Sequence, residues 1–230
     1  MNANPSHAGG SPGHASTPKY WECLPCGYIS DDPKVGSGER PCPHCHTAHQ
    51  TRAFPPERQR RLDARIRRYQ AEGDDEIVVI LAATFLETLL EDVLARIMEA
   101  HGADVRLRAA VLDSQRSVGT RIGKLFPTLT GEQFEDAAAE LGYREFPRRW
   151  RRLRAERNAF IHDSTFEGPR EALNSATASE AMALLDQAYR LFVSINNRFV
   201  ADGRSGGQRH SGGRSDERAP DAQPSGGPTG

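Results

Sequence analysis

The sequence DEIVVILAATFLETLLEDVLARIMEA, Asp75–Ala100, decides the fold of this chain. Its apolar side chains recur every three or four residues and form two adjacent stripes, which is the pattern of a helix. The first stripe comprises Val78, Ala82, Phe85, Leu89 and Val93, and the second comprises Leu86, Leu90, Leu94 and Ile97. A helix that is apolar on two sides needs neighbours on both. We therefore expect this helix at the centre of a bundle.

Helical patterns continue on both sides of this central stretch. Pro55-Pro56 and Pro147 are typical of helix starts, and Thr130-Gly131-Glu132-Gln133 has the pattern of a capping box. Two glycines and a proline within residues 116–129 predict a loop. We expect helices over residues 57–71, 75–100, 104–115, 130–141, 147–162 and 178–201. Because no strand pattern is convincing, the sequence predicts an all-α bundle.

Composition divides the 230 residues into segments. Residues 1–18 and 203–230 are low-complexity and almost without apolar side chains, so we expect both tails to be disordered. Residues 19–51 contain all four cysteines and form a small module. Residues 52–74 are expected to be a polar linker helix, and residues 75–202 the main helical domain.

Charge is distributed unevenly, although the formal net charge is only −1 and just three of the 30 basic residues are lysines. Thirteen of the 27 arginines lie in two clusters: Arg58, Arg60, Arg61, Arg65, Arg67 and Arg68, and then Arg144, Arg148, Arg149, Arg151, Arg152, Arg154 and Arg157. Such surfaces suit phosphate. For either cluster alone, a GC-rich genome and solvated helix faces are the favoured explanation. Only the proximity of the second cluster to residues 157–162 favours a phosphate partner there.

Hydropathy bears on the cellular location. The longest apolar run, residues 77–86, is well short of the ~20 residues that a membrane span needs. No apolar leader follows a basic start at the N-terminus. We expect a cytoplasmic protein without a membrane helix.

The cysteines form two pairs, Cys23-Leu24-Pro25-Cys26 and Cys42-Pro43-His44-Cys45, with fifteen residues between them. Two residues between cysteines let the chain turn and direct both thiolates at one ion, so this spacing predicts a tetrahedral metal site. Disulfides are the alternative, which the lack of a secretory signal disfavours. We expect one structural Zn²⁺ per chain, in preference to iron.

The module resembles zinc ribbons, and Trp21-x-Cys23-x-x-Cys26-Gly27-Tyr28 is also similar to the iron-binding rubredoxin pattern. It departs from both at His46, where the second turn usually carries a glycine. His44, His46 and His49 are candidate spare ligands or nucleic-acid contacts. Because four thiolates already complete a closed shell, we expect these histidines to be bystanders.

The motif Arg157-Asn158-Ala159-Phe160-Ile161-His162 places a guanidinium, an amide and an imidazole within six residues. His162 is suited to move a proton from a ribose 2′-hydroxyl, Arg157 to stabilise a phosphorane-like transition state, and Asn158 to orient the phosphate. This chemistry requires no metal. On an ideal helix Arg157 lies ~140° from His162. We therefore expect either a frayed helix end or a site completed by a partner subunit.

The segment Leu153-Arg154-Ala155-Glu156-Arg157-Asn158-Ala159-Phe160-Ile161-His162 resembles the Arg-x4-6-His signature of the HEPN superfamily. The order of the helices over roughly residues 75–200 is similar too. It begins with a long apolar helix that has Ala83-Thr84-Phe85-Leu86-Glu87 near its middle. A helical insertion, a motif helix ending at Asp163-Ser164 and a last amphipathic helix follow. The resemblance implies a helical bundle that dimerises with its motifs face to face. It also implies a metal-independent endoribonuclease of toxin–antitoxin or phage-defence systems, with RNA, a second copy and an antitoxin or other operon product as partners.

Several neighbours of the motif have two interpretations. Arg148, Arg151, Arg152 and Arg154 are weak candidates for substrate contacts. Glu87 either holds Arg157 or lies on a polar edge, and the motif itself has the alternative of surface residues beside a helix end. Phe160, Ile161 and Trp150 are expected in the core.

Three functions fit these residues. The first is a HEPN-type ribonuclease whose zinc module selects or presents RNA. The second is a non-catalytic RNA or nucleotide sensor of the same fold, and the third is a rubredoxin-like electron carrier joined to a helical dimerisation domain.

Overall fold

The computed structural model describes residues 19–48, 50–162 and 173–202. The tails for which disorder is predicted, His49 and the motif-flanking Asp163 and Ser164 lie outside the described residues. In chain order the elements are β1 (Tyr20–Cys23), β2 (Ile29–Ser30), α1 (Pro33–Ser37), β3 (Thr51–Phe54), α2 (Glu57–Glu72), α3 (Asp75–Ala100), α4 (Val105–Ser114), α5 (Val118–Thr120), α6 (Phe126–Thr130), α7 (Phe134–Glu140), α8 (Phe146–His162) and α9 (Ser175–Asn196). π-helical turns at Arg121–Leu125 and Asn197–Ala201 follow α5 and α9.

The expected central helix is α3. Every residue of its two apolar stripes is at most 1% exposed, and α2, α4, α8 and α9 pack around it. Trp150 of α8 is 1% exposed and packs against the rings of Phe134 and Phe192, so its expected role as a packing anchor is confirmed. Burial of both stripes is the main stabilising contribution to this arrangement.

The region before α7 differs from the expectation. The expected loop over residues 116–129 is largely helical, formed by α5, a π-helical turn and α6. The capping-box prediction was wrong, because the Thr130 hydroxyl donates to the carbonyl of Phe126. Gly131 ends α6 with a φ of 81°, a left-handed conformation that glycine adopts without strain. Helix α7 then begins only at Phe134.

The N-terminal module contains a three-stranded antiparallel sheet in the order β2-β1-β3. Trp21 lies opposite Ser30 on one side and Ala53 on the other. The chain is therefore mostly helical, but the all-α prediction does not extend to this module. The expected boundary between residues 51 and 52 falls within β3.

The module packs on the C-terminal ends of α3 and α9. The side-chain amide of Asn196 donates to the carbonyl of Gly27, at 2.8 Å. Asn197 accepts a hydrogen bond from the amide of Ile29 and donates one to its carbonyl. Arg96 of α3 pairs with Glu22 of β1 at 2.7 Å, and both side chains are more than 90% buried. These contacts fix the module against the helices.

Within these described residues, no helix has both the length and the apolar character required to cross a membrane.

Candidate functional site

The four cysteines of the module come together in one cluster. Their Sγ atoms all lie within 4.8 Å of one another. The Cys23 and Cys45 sulfurs are 3.5 Å apart and those of Cys26 and Cys42 are 3.7 Å apart. These distances exceed a disulfide bond of ~2.05 Å. They are close to the ~3.8 Å edge of a tetrahedron with Zn–S bonds of ~2.3 Å. The cluster can therefore hold a metal ion.

Two equivalent turns aim the sulfurs inward. In the first, the amide of Gly27 donates to the carbonyl of Cys23, and in the second the amide of His46 donates to the carbonyl of Cys42. Gly27 has a φ of 75° and His46 a φ of 60°. The unusual histidine thus occupies a position that favours glycine, at a conformational cost of roughly 1–2 kcal/mol.

The pKa values of the cysteines differ within the cluster. Burial raises the pKa of Cys23 to about 11 and also raises the pKa of Cys26. Burial opposes ionisation of Cys45 as well, but hydrogen bonds from Thr47 and the neighbouring thiols outweigh it and lower its pKa to about 6. Because only thiolates bind metal, an ion that enters the cluster has to displace the protons of Cys23 and Cys26.

The nearby histidines of the described chain stand apart from the cluster of ligands. Among the described residues, the side chains whose ligand atoms lie close enough together to share one metal ion are those of the four cysteines. The ring of His44 stacks on Tyr28, and its Nε2 lies 3.2 Å from a carboxylate oxygen of Asp202. His44 therefore links the module to the residue that ends the π-helical turn after α9.

The second candidate site joins α3 to α8. An Nη2 of Arg157 lies 2.6 Å from Oε1 of Glu87, and the Nε of Arg154 lies 3.6 Å from the same oxygen. The three side chains are only 16–26% exposed. Of the two interpretations of Glu87, the structure has the one in which it holds Arg157.

This group has an excess positive charge. Burial lowers the pKa of Arg154, Glu87 opposes that shift, and the charge of Arg157 adds to it. The buried Nε atoms of Arg154 and Arg157 have no hydrogen-bond acceptor among the described residues. Two guanidinium groups on one carboxylate leave one unit of positive charge in excess, carried by side chains that are 16–22% exposed.

The motif residues Asn158 and His162 lie elsewhere on α8. Both are at least partly exposed, and His162 is the last residue of the helix. Arg157 instead faces α3, and no described contact joins it to His162. Ile161 is 46% exposed, so its expected place in the core was wrong, whereas Phe160 is partly buried against the core. Within the described ranges, the side-chain contacts of Arg157 are with α3 and none is with His162.

The weaker candidates on α8 are paired with carboxylates. Arg148 contacts Glu145, Arg151 contacts Glu135 and Arg152 contacts Glu156. Their side chains are 70–81% exposed. Exposed pairs of this kind contribute little and exchange readily for other anions.

A groove between α2 and α3 was missed as a site from the sequence. It encloses about 870 Å³. Its lining comprises Glu57, Arg58, Gln59, Arg61, Leu62, Arg65, Thr84, Thr88, Glu91, Asp92, Ala95 and Leu112. The spacing of Arg58, Arg61 and Arg65 was the signal, because residues three, four and seven apart share one helix face.

Comparison with known proteins adds no neighbour to these sites. The chain matches no family model, no curated protein and no solved structure. The resemblance to HEPN domains rests on the motif and the helix order alone.

Proposed function

We propose that this chain is a metal-independent endoribonuclease of the HEPN type that works as a homodimer. The observation that carries the proposal is the contact of Glu87 with both Arg157 and Arg154 on the helix that ends in His162. A non-catalytic RNA or nucleotide sensor is the second candidate, favoured because no contact joins Arg157 to His162 among the described residues.

In the proposed reaction a ribose 2′-oxygen attacks the adjacent phosphorus and the 5′-oxygen leaves. The products are a 2′,3′-cyclic phosphate and a 5′-hydroxyl end. His162 accepts the 2′-hydroxyl proton and returns a proton to the leaving oxygen. Arg157 stabilises the negative charge on the phosphorane oxygens, and Asn158 orients the phosphate. Glu87 positions Arg157 and does not touch the substrate.

The dimer supplies the missing geometry. Arg157 faces α3 while His162 lies on an exposed part of α8. We propose that Arg157 of one copy acts with His162 of the other across an isologous interface. By the same resemblance, we propose a role in a toxin–antitoxin or phage-defence system with an antitoxin or another operon product as partner.

The ion proposed for the cysteine cluster is Zn²⁺, with a structural role. A closed set of four thiolates leaves no open position for substrate. The small module gains most of its stability from the ion, and it selects RNA or a partner. One zinc per chain in a colourless protein is expected, and a red protein containing iron would instead support the electron carrier.

Cleavage of a mixed RNA substrate without added divalent cations tests the proposal. We expect wild-type activity with 2′,3′-cyclic ends, and losses of about 10²–10⁴-fold in His162→Ala and Arg157→Ala. Arg106→Ala, at an exposed residue of α4, is the matched control and should cleave normally. Retained RNA binding without cleavage by any form supports the sensor, and full activity of His162→Ala refutes the enzyme.

Subunit mixing tests the composite site. Neither Arg157→Ala nor His162→Ala homodimer has an intact site, but a heterodimer of the two has one. Random exchange should therefore restore about one quarter of wild-type activity. Mixing that restores nothing, with exchange verified by mass, would contradict the shared site.

A further inference from the structure

We propose that the groove between α2 and α3 binds a single strand of RNA and leads it to the site at Glu87 and Arg157. The inference rests on the proposed function, which it deepens by assigning a path to the substrate.

One wall of the groove carries cations at regular intervals. Arg58, Arg61 and Arg65 lie on one face of α2, one in each helical turn of ~5.4 Å. Such a row follows a flexible phosphate backbone better than it fits one compact ligand. The volume of about 870 Å³ and the open shape suit several nucleotides.

The acidic residues in the groove already have partners. Glu57 pairs with Arg61, Glu91 with Arg121 at 2.8 Å, and Asp92 with Arg96 at 2.7 Å.

The pairing of these carboxylates leaves two cations available. Among the described residues, neither Arg58 nor Arg65 has a carboxylate partner, and both are at least partly exposed. The net charge available to a ligand is therefore positive, which favours an anionic strand.

The opposite wall offers hydrogen-bond acceptors. The hydroxyl of Thr84 donates to the carbonyl of Ile80, and that of Thr88 donates to the carbonyl of Phe85. Since each hydroxyl has one proton, only the oxygen lone pairs remain for a ligand. They suit the donor hydrogen of a ribose 2′-hydroxyl, which RNA has and DNA lacks. Phosphates along α2 and riboses along α3 fit the two edges of one strand.

The groove runs beside the candidate active site. On α3, Glu87 lies one helical turn from Thr84 and one turn from Glu91, both of which line the groove. The two-residue connection makes α2 and α3 an antiparallel hairpin. It therefore places Arg65 nearer to Thr84 and Arg58 nearer to Asp92. A strand in the groove passes the arginines that Glu87 holds.

Fluorescence anisotropy with a labelled, unstructured RNA 12-mer tests the path. The measurements use the full chain carrying His162→Ala, so that the probe is not cleaved, at several salt concentrations. In that background, Arg58→Gln with Arg65→Gln should weaken binding at least tenfold at low salt. The slope of log affinity against log salt should fall by about 1.4, or 0.7 for each phosphate that no longer meets an arginine.

Two comparisons sharpen the result. Arg68→Gln removes an arginine of the same helix that pairs with Glu72 and does not line the groove, so binding should be unchanged. Thr88→Val keeps the shape and removes the acceptor, so it should reduce the preference for RNA over the DNA of the same sequence.

The outcomes separate the two claims. If the Arg58 and Arg65 variants bind like Arg68→Gln while wild-type protein cleaves RNA through His162, the groove proposal fails alone. If they lose binding but no form cleaves, the groove stands and the ribonuclease fails. An unchanged preference for RNA in Thr88→Val overturns the assignment of riboses to the α3 wall.

Discussion

Substitution Glu87→Gln removes the negative charge that holds Arg157 and Arg154 together. Two unit charges 4 Å apart attract by about 4 kcal/mol at an effective dielectric constant of ~20. The three side chains are 16–26% exposed, so solvent screens part of this attraction, and desolvation offsets more. We therefore expect a loss of about 1–2 kcal/mol in the free energy of unfolding, near the lower end of the ~1.5–3 kcal/mol of a hydrogen bond to a charged group.

The loss is measurable as a change in thermal unfolding. For a chain of this size, each kcal/mol corresponds to a shift of about 2–4 °C in Tm, so circular dichroism should show a decrease of about 2–8 °C. Glu156→Gln is the matched control, because Glu156 pairs with Arg152 on the exposed side of α8, the helix that carries Arg157. It should leave the midpoint unchanged within error.

A double-mutant cycle with Arg157→Gln isolates the interaction. If Glu87 acts through Arg157, the double variant should be more stable than the sum of the single losses predicts, by about 1 kcal/mol. Additive losses, or a midpoint for Glu87→Gln equal to that of Glu156→Gln, would refute the view that this carboxylate positions the arginine.

Three further predictions concern the module. Burial acts to raise the pKa of Glu22, but Arg52 and Arg96 hold it below its ordinary value of 4.5. The folded chain therefore binds fewer protons than the unfolded chain near this pKa. The stability that Glu22 contributes is fully present above about pH 4.5 and is lost as the pH falls through the lower pKa of the folded chain. The Tm difference between wild type and Glu22→Gln should shrink below about pH 4, and a constant difference counts against this. His46→Gly should be neutral or stabilising by about 1 kcal/mol, whereas Gly27→Ala should destabilise by a similar amount; urea unfolding of the two variants distinguishes these signs. Adding Zn²⁺ to metal-free protein at about pH 7 should release at least the two protons of Cys23 and Cys26, and a pH indicator that registers no release contradicts thiolate binding.

Periodicity predicted the helical core because the pattern is long. The two apolar stripes of α3 repeat over about seven turns, so single residues that depart from the pattern do not obscure the helical period. The strands of the module are two to four residues long, which is too short for alternation to register. The glycines at 119 and 123 suggested a loop, but burial of Leu125 and Phe126 stabilises helical turns there. Tertiary packing overrides local propensity in such segments.

Only part of the candidate site could be predicted from the sequence. The cysteine spacing determines the metal cluster locally, since each pair closes within one turn. The contact between Glu87 and Arg157 joins residues 70 positions apart, and no local pattern encodes it. The sequence hinted at it only because Glu87 lies in the apolar centre of α3, where a partly buried carboxylate requires a partner. The role of Thr84 and Thr88 depends on which face of α3 remains uncovered, and this follows only from the packing of α2.

The place of the module relative to the motif limits what the metal does. Its anchors are Arg96 on α3 and Asn196 and Asn197 at the end of α9. Arg96 lies nine residues from Glu87, or about 13.5 Å along the helix axis. A closed set of four thiolates leaves no open position for a substrate, so we expect an ion held there to take no part in the reaction proposed for Arg157. Its influence on the site has to pass through the position of α3, because that helix contacts both the module and α8. The same Arg96 also holds Asp92, which lines the groove. A module anchored in this way holds α3 in place and keeps one carboxylate of the groove neutralised.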